Sequence, residues 1–406
     1  MSLEGMRRIA HETAAPTRTV ARFAVRYTQF LDEHGRLADD APPIAHDHAR
    51  LVELYRHMLL TRLFDRKAVA LQRTGQLGTY ASSLGQEATS VGIGAAMARE
   101  DVLLPTYRET GAMLLRGVEM RELLLYWGGD ETGMDYSGPS APREDFPICV
   151  PIATHAPHAV GVACAFKLRR EPRVAVCALG DGATSKGDFY EALNAAGVFD
   201  LPLVFVIANN QWAISVPRRQ QSRAETLAQK AIAAGIDGEQ IDGNDLIAVY
   251  HATARALEKA RSGGGPHVIE ALTYRMHDHT TADDARRYRS EEELALWRAR
   301  DPLKRVAAYL IRAGAFSEAQ DAALRAELGA AVEKAVADYA ATPARPPESM
   351  FDHLFERLPR ALEPQREALA SCAHLDGRDV PAGPTRGHDR ERRPAHDVAR
   401  GDTRHG

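Results

Sequence analysis

Scarcity narrows this chain before any motif does. Its 406 residues include only four cysteines, Cys149, Cys164, Cys177 and Cys372, and no two stand in a C-x-x-C spacing. So few, so placed, make neither a disulfide frame nor a recognisable zinc site, and buried, reduced thiols are expected. No run approaches the 18 consecutive apolar residues of a membrane span. The opening residues, Met1-Ser-Leu-Glu-Gly-Met-Arg-Arg, hold no apolar core of signal type, so the expected location is cytoplasmic. Charge of one sign is also short: the formal net charge is −4, which argues against nucleic-acid or membrane binding by bulk charge. Apolar residues are plentiful at 45%, enough for one large α/β core or two modest ones.

The informative stretch runs from Leu179 to Trp212. An apolar run of strand type, Arg173 to Leu179, leads into Gly180-Asp-Gly-Ala-Thr184. Phe189, Leu193 and Ala196 then recur at helical spacing, and a second apolar run, Leu203 to Ile207, ends in Asn209-Asn210. Strand, glycine turn, helix, strand is a βαβ unit, and ligands of open parallel sheets sit at the carboxyl ends of the strands. Asp181 and Asn210 can therefore converge across 29 positions of sequence (210 − 181). Two hard oxygen ligands beside backbone N–H groups suit Mg²⁺ carrying a phosphate. Gly182 permits close backbone approach, and the helix N-terminus beyond it favours negative charge. A Gly-Asp-Gly alone could equally be an ordinary tight turn; the Asn-Asn closing the next strand weakens that reading.

These residues, with Gly182-Ala-Thr-Ser-Lys-Gly-Asp-Phe-Tyr-Glu191 and Asn209-Asn-Gln-Trp-Ala-Ile-Ser215, make the chain resemble the alpha subunit of the thiamine-diphosphate-dependent 2-oxo acid dehydrogenase first component. The resemblance extends from about Leu51 to about Leu362. It implies an α/β, parallel-sheet thiamine-diphosphate-binding fold with helical additions. It also implies decarboxylation of a 2-oxo acid, pyruvate first, and passage of the acyl group to a lipoyl domain. The branched-chain and acetoin enzymes, and an inactive assembly paralogue, stand as alternatives. The partners implied are a beta subunit, in an α2β2 heterotetramer that supplies the second half of the site, and a lipoyl acyltransferase core.

Site residues carry over one by one. Asp181, Asn210 and the Trp212 carbonyl would hold Mg²⁺, and Gly182 and Ala183 would lie against the cofactor. Tyr107 and Arg108 match the family's diphosphate-binding Tyr-Arg pair, though alone they could be a surface pair at a strand end. Ile152 matches the apolar residue under the bent cofactor, which is compatible with a plain core role, and Val150 lies beside the pyrimidine-binding backbone. His279, followed by Thr280 at a position that relatives phosphorylate, matches the loop histidine that meets the diphosphate or the substrate, and is the candidate catalytic residue. His277, Asp278 and His279 could also suggest a metal site, but a strand or loop would splay them apart. The chain departs from the family in having no histidine between Gly128 and Ile148, and in carrying His155 where glutamine is usual.

Along the chain, residues 1–45 read as an arm and extended lead-in, 46–372 as the binding domain with C-terminal helices, and 373–406 as a disordered tail poor in large apolar residues. Helices are expected from His46 to Gly75, from Gly111 to Trp127, Pro157 to Leu168, Leu227 to Ala234, Asp245 to Arg261 and Ser317 to Ala341. Gly128–Ile148 and the basic stretch Ser215–Arg223 read as loops. The loop from Arg275 to Ser290 has too few apolar residues to order itself by burial.

Overall fold

A computed structural model describes residue 17 and residues 19–373. The expected tail from 374 on, and residues 1–16 and 18 of the arm, lie outside the described residues. The contacts divide the chain into two units, one running to Thr342 and one starting at Pro343.

In chain order the first unit begins with β1 (Tyr27–Thr28), α1 (His48–Arg73), α2 (Glu87–Ala96), β2 (Val102–Leu104), α3 (Thr110–Arg116), α4 (Met120–Gly128) and α5 (His155–Arg169). There follow β3 (Ala175–Gly180), α6 (Gly187–Val198), β4 (Leu203–Asn209), β5 (Trp212–Ala213), β6 (Val216–Pro217), the one-turn α7 (Arg218–Gln221) and β7 (Asp237–Asp242). The unit closes with α8 (Leu246–Arg261), β8 (His267–Leu272), α9 (Glu291–Ala299), α10 (Pro302–Arg312) and α11 (Glu318–Ala340). The second unit holds a 3-10 turn, Pro347–Phe351, and α12 (Glu363–Ala373), tied together by Arg366 and Asp352 at 3.3 Å.

Six strands form one parallel sheet in the order β1-β7-β8-β4-β3-β2. Its central strands, Ala-Val-Cys-Ala-Leu-Gly and Leu-Val-Phe-Val-Ile-Ala-Asn, are almost wholly buried, because a parallel sheet is covered on both faces and needs apolar side chains on both. Alternate residues serve opposite layers. Val176, Val204 and Val206 pack with α1, α2 and α8, whereas Cys177, Leu179, Phe205 and Ile207 pack with α5 and α6. Register pairs Gly180 with Ala208 and Asn209 with Leu272, so the carboxyl ends of β3, β4 and β8 meet at one edge.

Several expectations need correction. The lead-in contributes β1, a sheet strand, because the backbone of Phe30 and Leu31 is tied to the buried Asp245 at 2.6 and 2.8 Å. The single helix expected from Gly111 to Trp127 is two helices. Gly117 breaks it at φ +104°, where an added Cβ would run into the Ser140 backbone. Leu227–Ala234 is a 3-10 turn, Ala228–Ala234, and the basic stretch Ser215–Arg223 holds β6, which pairs with β5, and α7. Among cysteines with described side chains only Cys177 is buried; Cys149 stands on a loop, Cys164 on α5, and both are half-buried.

Candidate active site

Asp181 begins the 3-10 turn after β3, and Asn210 directly follows β4; both are buried, at 3% and 5% exposure. They share the wall of a cavity of about 210 Å³ with Tyr107, Arg108, Ile152, Gly182, Ala183, Trp212 and His279. Val150 stands outside that wall and is 51% exposed. At Gly182 an added Cβ would come within 2.7 Å of the Ala213 Cβ, so this turn lies tight against the hairpin. Burial pushes the Asp181 carboxyl up, and Gln221 Nε2, at 2.9 Å from Oδ2, and the local backbone offset it only in part. A buried carboxylate with no cation bonded to it in the described structure is what a divalent ion would compensate. Asn210 Oδ1 accepts from the Trp212 N–H at 3.3 Å, which fixes its carboxamide. The hard-oxygen donor set therefore fits Mg²⁺.

The other wall comes from the strand end after β2 and the loop after β8. Arg108 donates to the Ser82 carbonyl, to the His279 carbonyl at 2.7 Å and to His279 Nδ1 at 3.1 Å. These contacts take three of its five N–H groups. Since a guanidinium can only donate, Nδ1 is the accepting nitrogen and the imidazole proton sits on Nε2. Arg275 Nη1 approaches the same Nδ1 at 3.4 Å. Burial, then Arg108 and Arg275, push the His279 pKa down to about 4. The Tyr107 ring meets His279 edge-on at 6.1 Å.

The loop itself is tied by polar groups as well as by a small apolar cluster, in which Met276 and Tyr288 pack with Trp212, Tyr274 and Leu294. Arg275 is wholly buried and donates to the Trp212 carbonyl (3.2 Å), the Ile214 carbonyl (2.8 Å) and the Tyr288 hydroxyl (2.7 Å). Tyr288 hydrogen-bonds Asp283, which accepts the His279 N–H at 2.9 Å. The expectation that this segment lacks the means to order itself counted apolar residues only, and missed a buried guanidinium as the organiser. The Trp212 carbonyl, a candidate ligand, thus already accepts one bond on the Arg275 side. His277 faces Asp278 at 3.8 Å while His279 faces the arginines, so the two imidazoles have different partners. His155 Nε2 donates to the Ala178 carbonyl at 2.6 Å, tethering α5 to β3.

Other wall residues carried no sequence signal. Gln86 contacts Asn210 from 124 positions away, and Glu109, buried and pushed up by burial, accepts from Thr106 N at 2.6 Å. Only the fold brings Gln86 in, whereas Glu109 directly follows Arg108.

Residues 55–348 match the family model described as the dehydrogenase E1 component, and the chain belongs to that family. The family depends on thiamine diphosphate, and as a member the chain is a component of a 2-oxo acid dehydrogenase. Among curated proteins it is 39% identical over 340 residues to a pyruvate dehydrogenase E1 component subunit alpha of Acholeplasma laidlawii, covering 83% of this chain and 97% of that one. It is 42% identical over 328 residues to a 3-methyl-2-oxobutanoate dehydrogenase subunit alpha of Mycobacterium tuberculosis, covering 80% and 88%. A pyruvate dehydrogenase E1 component subunit alpha of Bacillus subtilis matches at 38% over 344 residues, covering 84% and 91%.

Proposed function

We propose that the chain is the alpha subunit of a 2-oxo acid dehydrogenase, with pyruvate as the favoured substrate. In this reading it decarboxylates the acid on thiamine diphosphate held by Mg²⁺ and passes the acyl group to a lipoyl domain. The observation that carries the reading is the meeting of a buried Asp181, whose burial its neighbours offset only in part, and an oriented Asn210 at the ends of adjacent parallel strands. Thiamine diphosphate, when bound, supplies the electron sink for decarboxylation. Asp181, Asn210 and the Trp212 carbonyl would hold the metal; Tyr107, Arg108 and His279 would meet the diphosphate. His279, kept neutral with its proton on Nε2, is a donor to an anionic oxygen at pH 7. Ile152 and Val150 would lie along the rings.

A second subunit fits the same picture. Of the wall's two carboxylates, Asp181 is assigned to the metal and Glu109 accepts from Thr106, so a carboxylate for proton movement on the pyrimidine must come from elsewhere. Val150, Ile152 and Ile214 stand exposed (51%, 44% and 55%) around the cavity, as residues awaiting a covering chain do. We assign the beta subunit there, in an α2β2 heterotetramer docked on a lipoyl acyltransferase core in the cytoplasm. The 42% identity to the Mycobacterium tuberculosis protein makes 3-methyl-2-oxobutanoate the second substrate to try. The test is dye reduction by the chain, alone and co-purified with its beta subunit, on pyruvate, 3-methyl-2-oxobutanoate and acetoin. Activity is expected only in the assembly, highest with pyruvate, and lost in Asp181→Ala. Turnover by the pure alpha chain would overturn the reading.

A further inference from the structure

Each of the two candidate metal-binding side chains rests on a glutamine that sequence gives no reason to pair with it. Gln221 Nε2 bridges Asp181 Oδ2 at 2.9 Å and the Val216 carbonyl at 3.0 Å. Gln86 Oε1 accepts from Asn210 Nδ2 at 3.2 Å. The orientation of Gln86 follows by elimination. The Trp212 N–H must meet an acceptor, so it fixes Asn210 Oδ1, and Nδ2 is left facing Gln86. A donor demands an acceptor opposite, so Gln86 presents its oxygen there. Nε2 is then the other amide atom, and it is buried with no protein partner in a residue 2% exposed that lines the cavity.

A buried amide N–H without an acceptor costs about 1–3 kcal/mol, and native proteins rarely keep one without use. The position is also held firmly. Gln86 directly precedes α2, its N–H donates to the Ser83 carbonyl at 2.9 Å, and the next residue, Glu87, is paired with Arg62. We propose that Gln86 is a positioning residue that locks the Asn210 carboxamide with its oxygen toward the metal, and that its unpartnered N–H donates to a diphosphate oxygen of the bound cofactor. This rests on the metal and cofactor reading given under Proposed function. One amide thus serves two tasks: its oxygen acts through Asn210 on the metal, and its nitrogen acts on the anion the metal carries.

The two tasks separate by substitution. Gln86→Leu removes both; Gln86→Glu keeps an oxygen for Asn210 Nδ2 and replaces the donor by a negative oxygen. The alpha chain is co-purified with its beta subunit, and Mn²⁺ serves as the metal probe. Free Mn²⁺ is followed by electron paramagnetic resonance at saturating thiamine diphosphate, and cofactor binding by calorimetry at saturating Mn²⁺. Gln86→Leu is expected to weaken Mn²⁺ about 10- to 100-fold, the usual loss when a group supporting a metal ligand is removed. Gln86→Glu should hold Mn²⁺ within about threefold of the parent and weaken the cofactor at least about tenfold, as loss of a hydrogen bond to a charged group does. Melting of the ligand-free variants should match the parent. Parental affinities in Gln86→Leu, or equal loss of Mn²⁺ in both variants, would overturn the proposal. Asp181→Ala in the same titration separates the two levels. If it too binds Mn²⁺ like the parent, the metal site itself is misassigned; if it alone fails, only the role of Gln86 falls.

Discussion

His279 offers the sharpest test of the site's electrostatics, because its protonation state follows from contacts that can be changed singly. Its pKa falls from 6.5 to about 4 through burial first, then through the Arg108 and Arg275 guanidiniums, with Asp283 opposing. At pH 5.5 an unperturbed imidazole is about 90% protonated, whereas His279 should be only about 3% protonated. A folded-state pKa below the unfolded one means that unfolding takes up a proton. The stability this neutral histidine contributes is therefore present above pH 6.5 and is lost as pH falls toward 4. The perturbation is Arg108→Gln, which removes the guanidinium with the larger effect on His279 and one donor to Nδ1. The assay is nuclear magnetic resonance of the full chain labelled at histidine, with the His279 signals identified by their loss in His279→Gln. The parent should show a signal that stays neutral down to pH 5, with nitrogen couplings of the Nε2–H form. In Arg108→Gln its midpoint should move back up toward 6.5. A parental midpoint near 6.5, or a proton on Nδ1, would refute the reasoning from the two guanidiniums.

Two further outcomes can be checked by simpler means. Gly94→Ala on α2 would set a Cβ 2.9 Å from the Ala112 backbone on α3, so it should lower stability by about 1–3 kcal/mol in urea unfolding. Gly329→Ala on α11, with nothing within 4 Å, should raise it by up to about 1 kcal/mol through helix propensity; the same sign for both would discredit the close approach of α2 and α3. Trypsin should cut first at Arg286 and Arg287, which are exposed, and spare Arg289, whose guanidinium donates to the carbonyls of Arg275, Met276 and His277. Thiamine diphosphate with Mg²⁺ should slow that cleavage and His279→Ala should abolish the protection; equal rates with and without cofactor would leave His279 a bystander.

Sequence alone determined what is local or periodic. Strands β3 and β4 could be read because both faces of a buried parallel strand must be apolar, and their ends could be read because Gly180-Asp-Gly182 and Asn209-Asn210 are contiguous. Five of the ten candidate residues, Asp181, Gly182, Ala183, Asn210 and Trp212, lie in or beside those stretches, and of the ten only Val150 stands outside the cavity wall. Tertiary structure alone decided which polar groups complete them. Gln86 reaches Asn210 across 124 positions, Arg108 reaches His279 across 171, and Asp245 draws the backbone of Phe30 from 215. No period or spacing encodes such partners, since each depends on where a strand order of β1-β7-β8-β4-β3-β2 happens to bring two ends. The loop after β8 shows the same limit in reverse. Counting apolar residues gave Arg275–Ser290 nothing to fold around, yet a single arginine, stripped of water, is held by two carbonyls and a tyrosine. A buried guanidinium needs acceptors fixed in three dimensions, and only the folded chain supplies them.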